Sequence, residues 1–324
     1  IRNQAAAGDA QAQASGDDLA AARLSLQKQL ASLYVQLNGL DAQSRILSHS
    51  LEDYAQALQL TRDRYQGQIA SELDLTRAQS QLASAEAELD EVRAQRNLTE
   101  HAIGELVGEP ASQFHLSPSA QLLSLPSIPR QLPSTLLQRR PDIAAAERRV
   151  YAANAGIGIA RAAWYPDFSL TGMLGGQTQG VGNLLAAGNR YWALGPLVNL
   201  PIFDGGRLSA NERQAHAEFE EAAAHYRGQV LRAVREVEDN LGQLRDLRQE
   251  ALDQQAAVNA AQHTQTLAMN SYQAGAVSYL DVVTAQTAAL QAQRGLQAVQ
   301  TRELQASVGS VSYTHLRAHE TRED

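Results

Sequence analysis

Two stretches of this chain set 207 residues apart, RYQGQIASELDLTRAQ (64–79) and SYQAGAVSYLDVVTAQ (271–286), are near-copies, and each lies where a helical heptad pattern breaks and restarts. At that offset Tyr65, Gln66, Ser71, Leu73, Asp74, Ala78 and Gln79 match Tyr272, Gln273, Ser278, Leu280, Asp281, Ala285 and Gln286, seven identities in fifteen positions. Identity concentrated at a helix turn is the mark of an internal duplication. A long helical hairpin made twice, with a short strand-like segment between, constrains the chain to a tube-like assembly more than to a compact core.

The helical period is clearest in the first arm. Leu26, Leu30, Leu33, Leu37, Leu40, Ser44, Leu47, Leu51, Tyr54, Leu58, Thr61 and Tyr65 alternate steps of four and three, the seam of a left-handed coiled coil. At 1.5 Å per residue this seam covers roughly 60 Å. Gln66-Gly67-Gln68 then predicts a turn with Gly67 at positive φ, and Ser71 is placed to cap the next helix, with Glu72 and Asp74 favourable to its dipole. A second seam follows at Leu75, Ala78, Leu82, Ala85, Leu89 and Val92. Helices joined by so short a loop must pack antiparallel.

Prolines at 110, 118, 126, 129 and 133 make 109–133 an extended connector. A helix is expected from about Ser134 or Pro141 to Pro166, with Asp142 at the positive end of its dipole. Gly156 and Gly158 do not form a nucleotide loop, because no strand precedes them; small residues there let helices approach closely. In 167–203, DFSLTGML and YWALGPLVNLPIF alternate around glycine-rich turn material, predicting two strands. Strands of about ten residues are long enough to cross a bilayer in a tilted barrel. Periodicity alone equally allows a soluble hairpin resting on a helix. Asp204 should cap the longest helix, with core positions Phe219, Ala223, Tyr226, Val230, Val234, Val237, Leu241 and Leu244 and an end near Tyr272.

Composition closes off other classes. A net charge of −8 with no separate basic face argues against nucleic acid. The absence of cysteine removes disulfides and thiolate metal sites, and no apolar run is long enough for a transmembrane helix. Eight scattered histidines and no carboxylate pair in a recognisable pocket motif give no catalytic constellation, so neither an enzyme nor a cofactor is expected. The chain opens inside a helical pattern without signal peptide or initiator methionine, and we expect a fragment of a longer one.

The segments LPSTLLQRRPDIAAAERRVYAANAGIGIARAAWYPDFSLTG (132–172) and GPLVNLPIFDGGR (195–207), with the two turn copies, closely resemble outer-membrane efflux proteins of the TolC class, nearest the OprM-like, NodT-type branch. The likeness runs from about residue 2 to 309. It implies a mainly α fold of long antiparallel coiled-coil hairpins with an internal repeat, carrying two strands of a trimeric outer-membrane β-barrel. The expected divisions are 1–108 as the first periplasmic hairpin, 109–133 as an equatorial connector and 134–166 as a helix leading to the barrel. Two transmembrane strands with an extracellular loop then occupy 167–203, and 204–310 forms the second hairpin. Residues 311–324 depart from the family and read as a non-native tail. The family signal sequence, first helix and first strand pair would precede Ile1.

The resemblance also implies function: a passive homotrimeric exit duct for drugs or other small toxic solutes, held in outer-membrane lipid and joined through a periplasmic adaptor to an inner-membrane pump. It places the periplasmic aperture at the start of the last helix, making Leu280, Asp281 and Thr284 gate candidates. Asp281 repeated by threefold symmetry would form an acidic ring, a filter for cations; alternatively Asp281, like Asp74, serves only the first turn of its helix. Tyr65, Gly67, Ser71, Tyr272, Gly275 and Ser278 match the family turn that meets the adaptor, although the glycines are equally explained by the turn itself. A type I protein-secretion duct and a soluble coiled-coil scaffold are the competing functions, and the alternating segment 167–203 discriminates against the scaffold.

Overall fold

The computed structural model describes residues 1–118, 123, 140–177, 188 and 190–311. Among the described residues, five helices and two strands follow in the order α1 (Arg2–Gln66), α2 (Glu72–Val107), α3 (Pro141–Ala162), β1 (Asp167–Gly176), β2 (Arg190–Asn199), α4 (Arg207–Gln273) and α5 (Tyr279–Val311). They divide into two compact units. One comprises residues 1–21 and 138–232, the other 22–137 and 233–324.

The second unit is built from α2, α5 and the adjoining stretches of α1 and α4. Its core is the pair of seams: Leu40, Leu47 and Tyr54 of α1 bury against Ala85, Leu89 and Val92 of α2, with Leu290 of α5 joining them. Nearer the turns, Ala57, Leu58 and Ala78 close on Tyr272, Tyr279 and Val282. Farther along α4, Leu244 and Leu247 pack with Val299 and Ala306. Each fully buried aliphatic side chain here contributes roughly 1.5–3 kcal/mol. The ends of the predicted first seam are not core, since Leu26 and Tyr65 are both exposed. Antiparallel to α1, the 36-residue α2 runs out before reaching Leu26, and Tyr65 belongs to the last turn.

α2 begins on a capping box. The Ser71 hydroxyl accepts from Asp74 N–H, while the Asp74 carboxylate accepts from the Ser71 N–H. It ends at Gly108, whose φ of 84° lets its N–H turn back to Glu105. Beyond this cap the chain runs irregularly through 118, and Phe114 lies so close over Gly104 that a side chain on that residue would crowd the ring. Arg96 bonds Asp41 at 2.7 Å, Glu100 at 2.7 Å and the Leu116 carbonyl at 2.6 Å. Glu100 in turn accepts from the Leu116 N–H at 2.5 Å. One residue of the connector is thereby gripped by both its backbone groups. Residues 119–122, 124–139, 178–187, 189 and 312–324, which carry the rest of the connector, most of the inter-strand loop and the tail, lie outside the described residues.

In the first unit α3 starts at Pro141, as a proline at the first helical position allows. Gly158 fits against Asn3 of α1, the close approach its size predicts, whereas nothing crowds Gly156. Asp204 caps α4 by accepting from Gly206 and Leu208 N–H groups, and those bonds lower its carboxyl pKa. Along α4 the predicted core stripe needs correcting: Val234 is exposed, and Phe219, Ala223, Tyr226 and Val230 are half-buried. Ala215 and Ala233 are buried instead. A strict seven-residue repeat drifts about 20° per heptad on a straight helix, so a stripe extrapolated over several heptads leaves the buried face.

Candidate functional sites at the helix turns and strand hairpin

At the first turn, Gly67 does not carry the left-handed conformation expected of it. Gln68 does, at φ 59°, and a Cβ on Gly67 would make only ordinary contact with the Asp63 carbonyl. At the second turn Gly275 has φ 77°. Gln68 and Gly275 are therefore the equivalent positions at the 207-residue offset, and the two candidate glycines, Gly67 and Gly275, are not.

The two tyrosines diverge as well. Tyr65 is 40% exposed, whereas Tyr272 is 4% exposed. Tyr272 packs edge-on against Tyr279 with ring centroids 5.5 Å apart, and its hydroxyl donates to Thr61 at 3.3 Å. Arg64 lies over the Tyr272 ring at 4.6 Å and donates to the Tyr272 carbonyl at 2.5 Å. Its Nε is buried without a hydrogen-bond partner among the described residues. Burial also pushes the Tyr279 phenol up to about 12. Arg64 escaped the sequence analysis because its repeat mate is Ser271; its position in the last turn beside an aromatic was the available signal.

Ser71 and Ser278 are both exposed and both engage an aspartate three residues on. The Ser278 N–H and hydroxyl donate to Asp281 Oδ2 at 3.0 and 2.8 Å. Leu280, Asp281 and Thr284 share the exposed side of the first turns of α5, opposite the buried Tyr279, Val282 and Ala285. Thr284 donates its hydroxyl to the Leu280 carbonyl at 2.8 Å, and Leu280 stays half exposed. The geometry thus brings the three gate candidates together and ties Asp281 to the helix start at the same time.

The strand hairpin is antiparallel, with Asp167 facing Asn199 and Gly176 facing Arg190. Facing residues share a side of the sheet, so one side collects Phe168, Leu170, Leu174, Trp192, Leu194, Pro196 and Val198, with Gly172, Gly176 and, at its end, Arg190. The other carries Asp167, Ser169, Thr171, Tyr191, Gly195 and Asn199, together with Met173, Ala193 and Leu197. The apolar side is uncovered: Leu174 is 83% exposed, Trp192 76% and Phe168 75%. Ten residues at about 3.4 Å each, tilted by about 45°, span roughly 24 Å, close to the apolar band of a membrane barrel. Among the described residues no helix is long and apolar enough to cross a membrane.

Comparison with known proteins gives concordant results. The family described as outer membrane efflux protein matches residues 1–109 and 132–309. The chain is 34% identical over 275 residues to outer membrane protein OprJ of Pseudomonas aeruginosa, covering 84% of this chain and 57% of OprJ. It is 32% identical over 297 residues to the pyoverdine export outer membrane protein OpmQ of the same organism, covering 91% and 62%. It thus spans little more than half the length of these relatives. The crystal structure of the outer membrane protein VceC from Vibrio cholerae superposes with a TM-score of 0.86 at 30% identity, covering 96% of this chain and 75% of that one.

Proposed function

This chain belongs to the outer membrane efflux protein family, and we propose that it works as part of the passive exit duct of a tripartite pump in a Gram-negative bacterium. Drugs or other small toxic solutes pass through it across the periplasm and outer membrane. The energy comes from an inner-membrane pump, coupled through a periplasmic adaptor, and the duct itself is a homotrimer. The observation that carries the reading is the strand hairpin, with its uncovered apolar side and, behind it, a mixed side on which polar and small residues outnumber Met173, Tyr191 and Leu197. In water an apolar surface of this kind has no stable partner; in a barrel wall it meets lipid while the other side meets a wet lumen. A coiled-coil scaffold has no use for it.

Spin labels placed singly at Leu170 and Thr171 test this in outer-membrane vesicles. Oxygen collisions should dominate at 170 and collisions with a water-soluble relaxing agent at 171. Equal water access at both would support a soluble hairpin instead.

The gate falls at Leu280, Asp281 and Thr284, whose exposed cluster three protomers would bring into a ring. Tyr65, Gly67 and Ser71, with Tyr272, Gly275 and Ser278, supply the adaptor-facing turns. Tyr65 serves by exposure and Tyr272 by holding the backbone of its turn from within. Bulky replacements at Ser71 and Ser278 should abolish pump complementation while trimers persist.

A further inference from the structure

The RRPDI motif, residues 139–143, is explained neither by a gate nor by a lipid-facing strand. Within the first unit its arginine and aspartate form a joint with α4. Arg140 is buried and grips Asp142 with both arms of its guanidinium, at 3.0 and 2.7 Å. Asp142 Oδ2 also accepts from Gln229 of α4 at 2.5 Å. Burial pushes the Asp142 carboxyl upward, but the bonds and charge of Arg140, with Gln229, outweigh it and hold it below the ordinary range. At the far end of α3, Arg161 pairs with Glu212 of α4 at 3.0 Å.

Nineteen residues separate Asp142 from Arg161 on α3, and seventeen separate Glu212 from Gln229 on α4. The two contacts therefore describe one antiparallel register held at points about 28 Å apart. The same two helices lead directly into the strands, α3 into β1 and β2 into α4. The strands themselves specify their register weakly. A slip of one residue would turn the apolar side over, but a slip of two restores both sides; Gly172, Gly176 and Gly195 offer no side chain to oppose it, and the fit of the Tyr191 ring over Gly175 is a local brake. Such a slip displaces one strand by about 7 Å. Neither the 2.5 Å contact of Asp142 nor the 3.0 Å contact of Arg161 would survive the same displacement of α3 along α4.

We infer that the Arg140–Asp142–Gln229 joint and the Arg161–Glu212 pair are positioning residues that select the Asp167-to-Asn199 strand register from the two-residue slips the strands would otherwise accept. The inference rests on the barrel reading only for its consequence in the membrane, not for the register itself.

Because the chain has no cysteine, introduced pairs report register cleanly. In the full chain purified in detergent, Thr171→Cys with Gly195→Cys reads the native register and Thr171→Cys with Ala193→Cys reads a slip. Combining Arg161→Ala with Gln229→Ala should lower the native-to-slipped cross-linking ratio on the order of tenfold, equivalent to about 1.4 kcal/mol. Placing the exchange Arg161→Glu with Glu212→Arg on the Gln229→Ala background, in place of Arg161→Ala, should return the ratio toward the parental value. Asp142→Asn, which keeps the shape and weakens the Arg140 grip, should lower the ratio in the same direction. A folded double variant with the parental ratio overturns the inference. If the ratio falls while the labels at 170 and 171 do not alternate, the barrel reading fails and the register role stands; the reverse result removes the register role alone.

Discussion

Replacing Arg96 by methionine should free residues 114–116 from the second helical unit, and should weaken the dependence of that attachment on acid. Arg96 is the only cation bonded at once to Asp41, Glu100 and the Leu116 carbonyl among the described residues; its side chain is 14% exposed, against 4% and 9% for the two carboxylates. Removing one partner of a buried ion pair costs about 3–5 kcal/mol, because the charges left behind keep their desolvation penalty. Some water reaches Arg96, so we take the lower end, about 3 kcal/mol. If that energy holds residues 114–116 against α2, the open population rises about a hundredfold, and chymotryptic cleavage at Phe114 should accelerate by the same factor. In the parent, burial raises the Glu100 carboxyl, but the Leu116 N–H and Arg96 outweigh it and leave it below its ordinary value of 4.5. A depressed carboxylate adds stability above its unfolded pKa that is lost as pH falls through the folded one. Parent protection should therefore weaken only below about pH 4.5. In the variant the Leu116 N–H bond to Glu100 remains but the Arg96 contribution is gone, so the acid-dependent part of the protection should shrink. A cleavage rate within twofold of the parent, normalised to a control peptide at each pH, would refute the reasoning.

Three further predictions concern the turns. Asp281→Ala removes the carboxylate that holds Ser278 and should destabilise the start of α5 by about 1 kcal/mol, whereas Asp281→Asn keeps an acceptor and should melt near the parent. Both should reduce cation selectivity in single-channel recordings if Asp281 faces the lumen, and unchanged selectivity in Asp281→Asn would take it out of the gate. Gly275→Ala should cost about 1–2 kcal/mol in thermal unfolding, while Gly67→Ala should be near neutral, because only Gly275 sits at positive φ. Arg64→Met should speed amide exchange at Tyr272 to Gly275 several-fold, since a ring–guanidinium contact contributes about 0.5–2 kcal/mol; unchanged exchange would mean that the contact adds no local stability.

Strands and hairpins were legible because they repeat at short period: every second residue in 167–174 and 192–198, every third and fourth in the first two helices. The Ser71 and Asp204 caps were readable for the same local reason. The failures arose where the deciding partner lies far away in the chain. Arg96 meets Asp41 across 55 residues and Arg64 meets Tyr272 across 208, and neither pairing leaves a periodic trace. Gly67 can supply a positive φ, but Gln68 adopts it one position later, and composition does not say which residue of a turn takes the left-handed conformation. On α4 Ala233 is buried and Val234 exposed, because close packing between helices favours the smaller side chain over the more apolar one.

Tyr65 and Tyr272 descend from one position, yet one looks outward and the other is sealed beneath an arginine that its own copy lacks. Duplication has here produced a division of labour rather than a symmetry. A change at one turn can alter what the molecule shows to its surroundings while the other continues to hold the joint. Grafting either turn onto the other arm would consequently exchange a surface for a fastening, despite the shared letters.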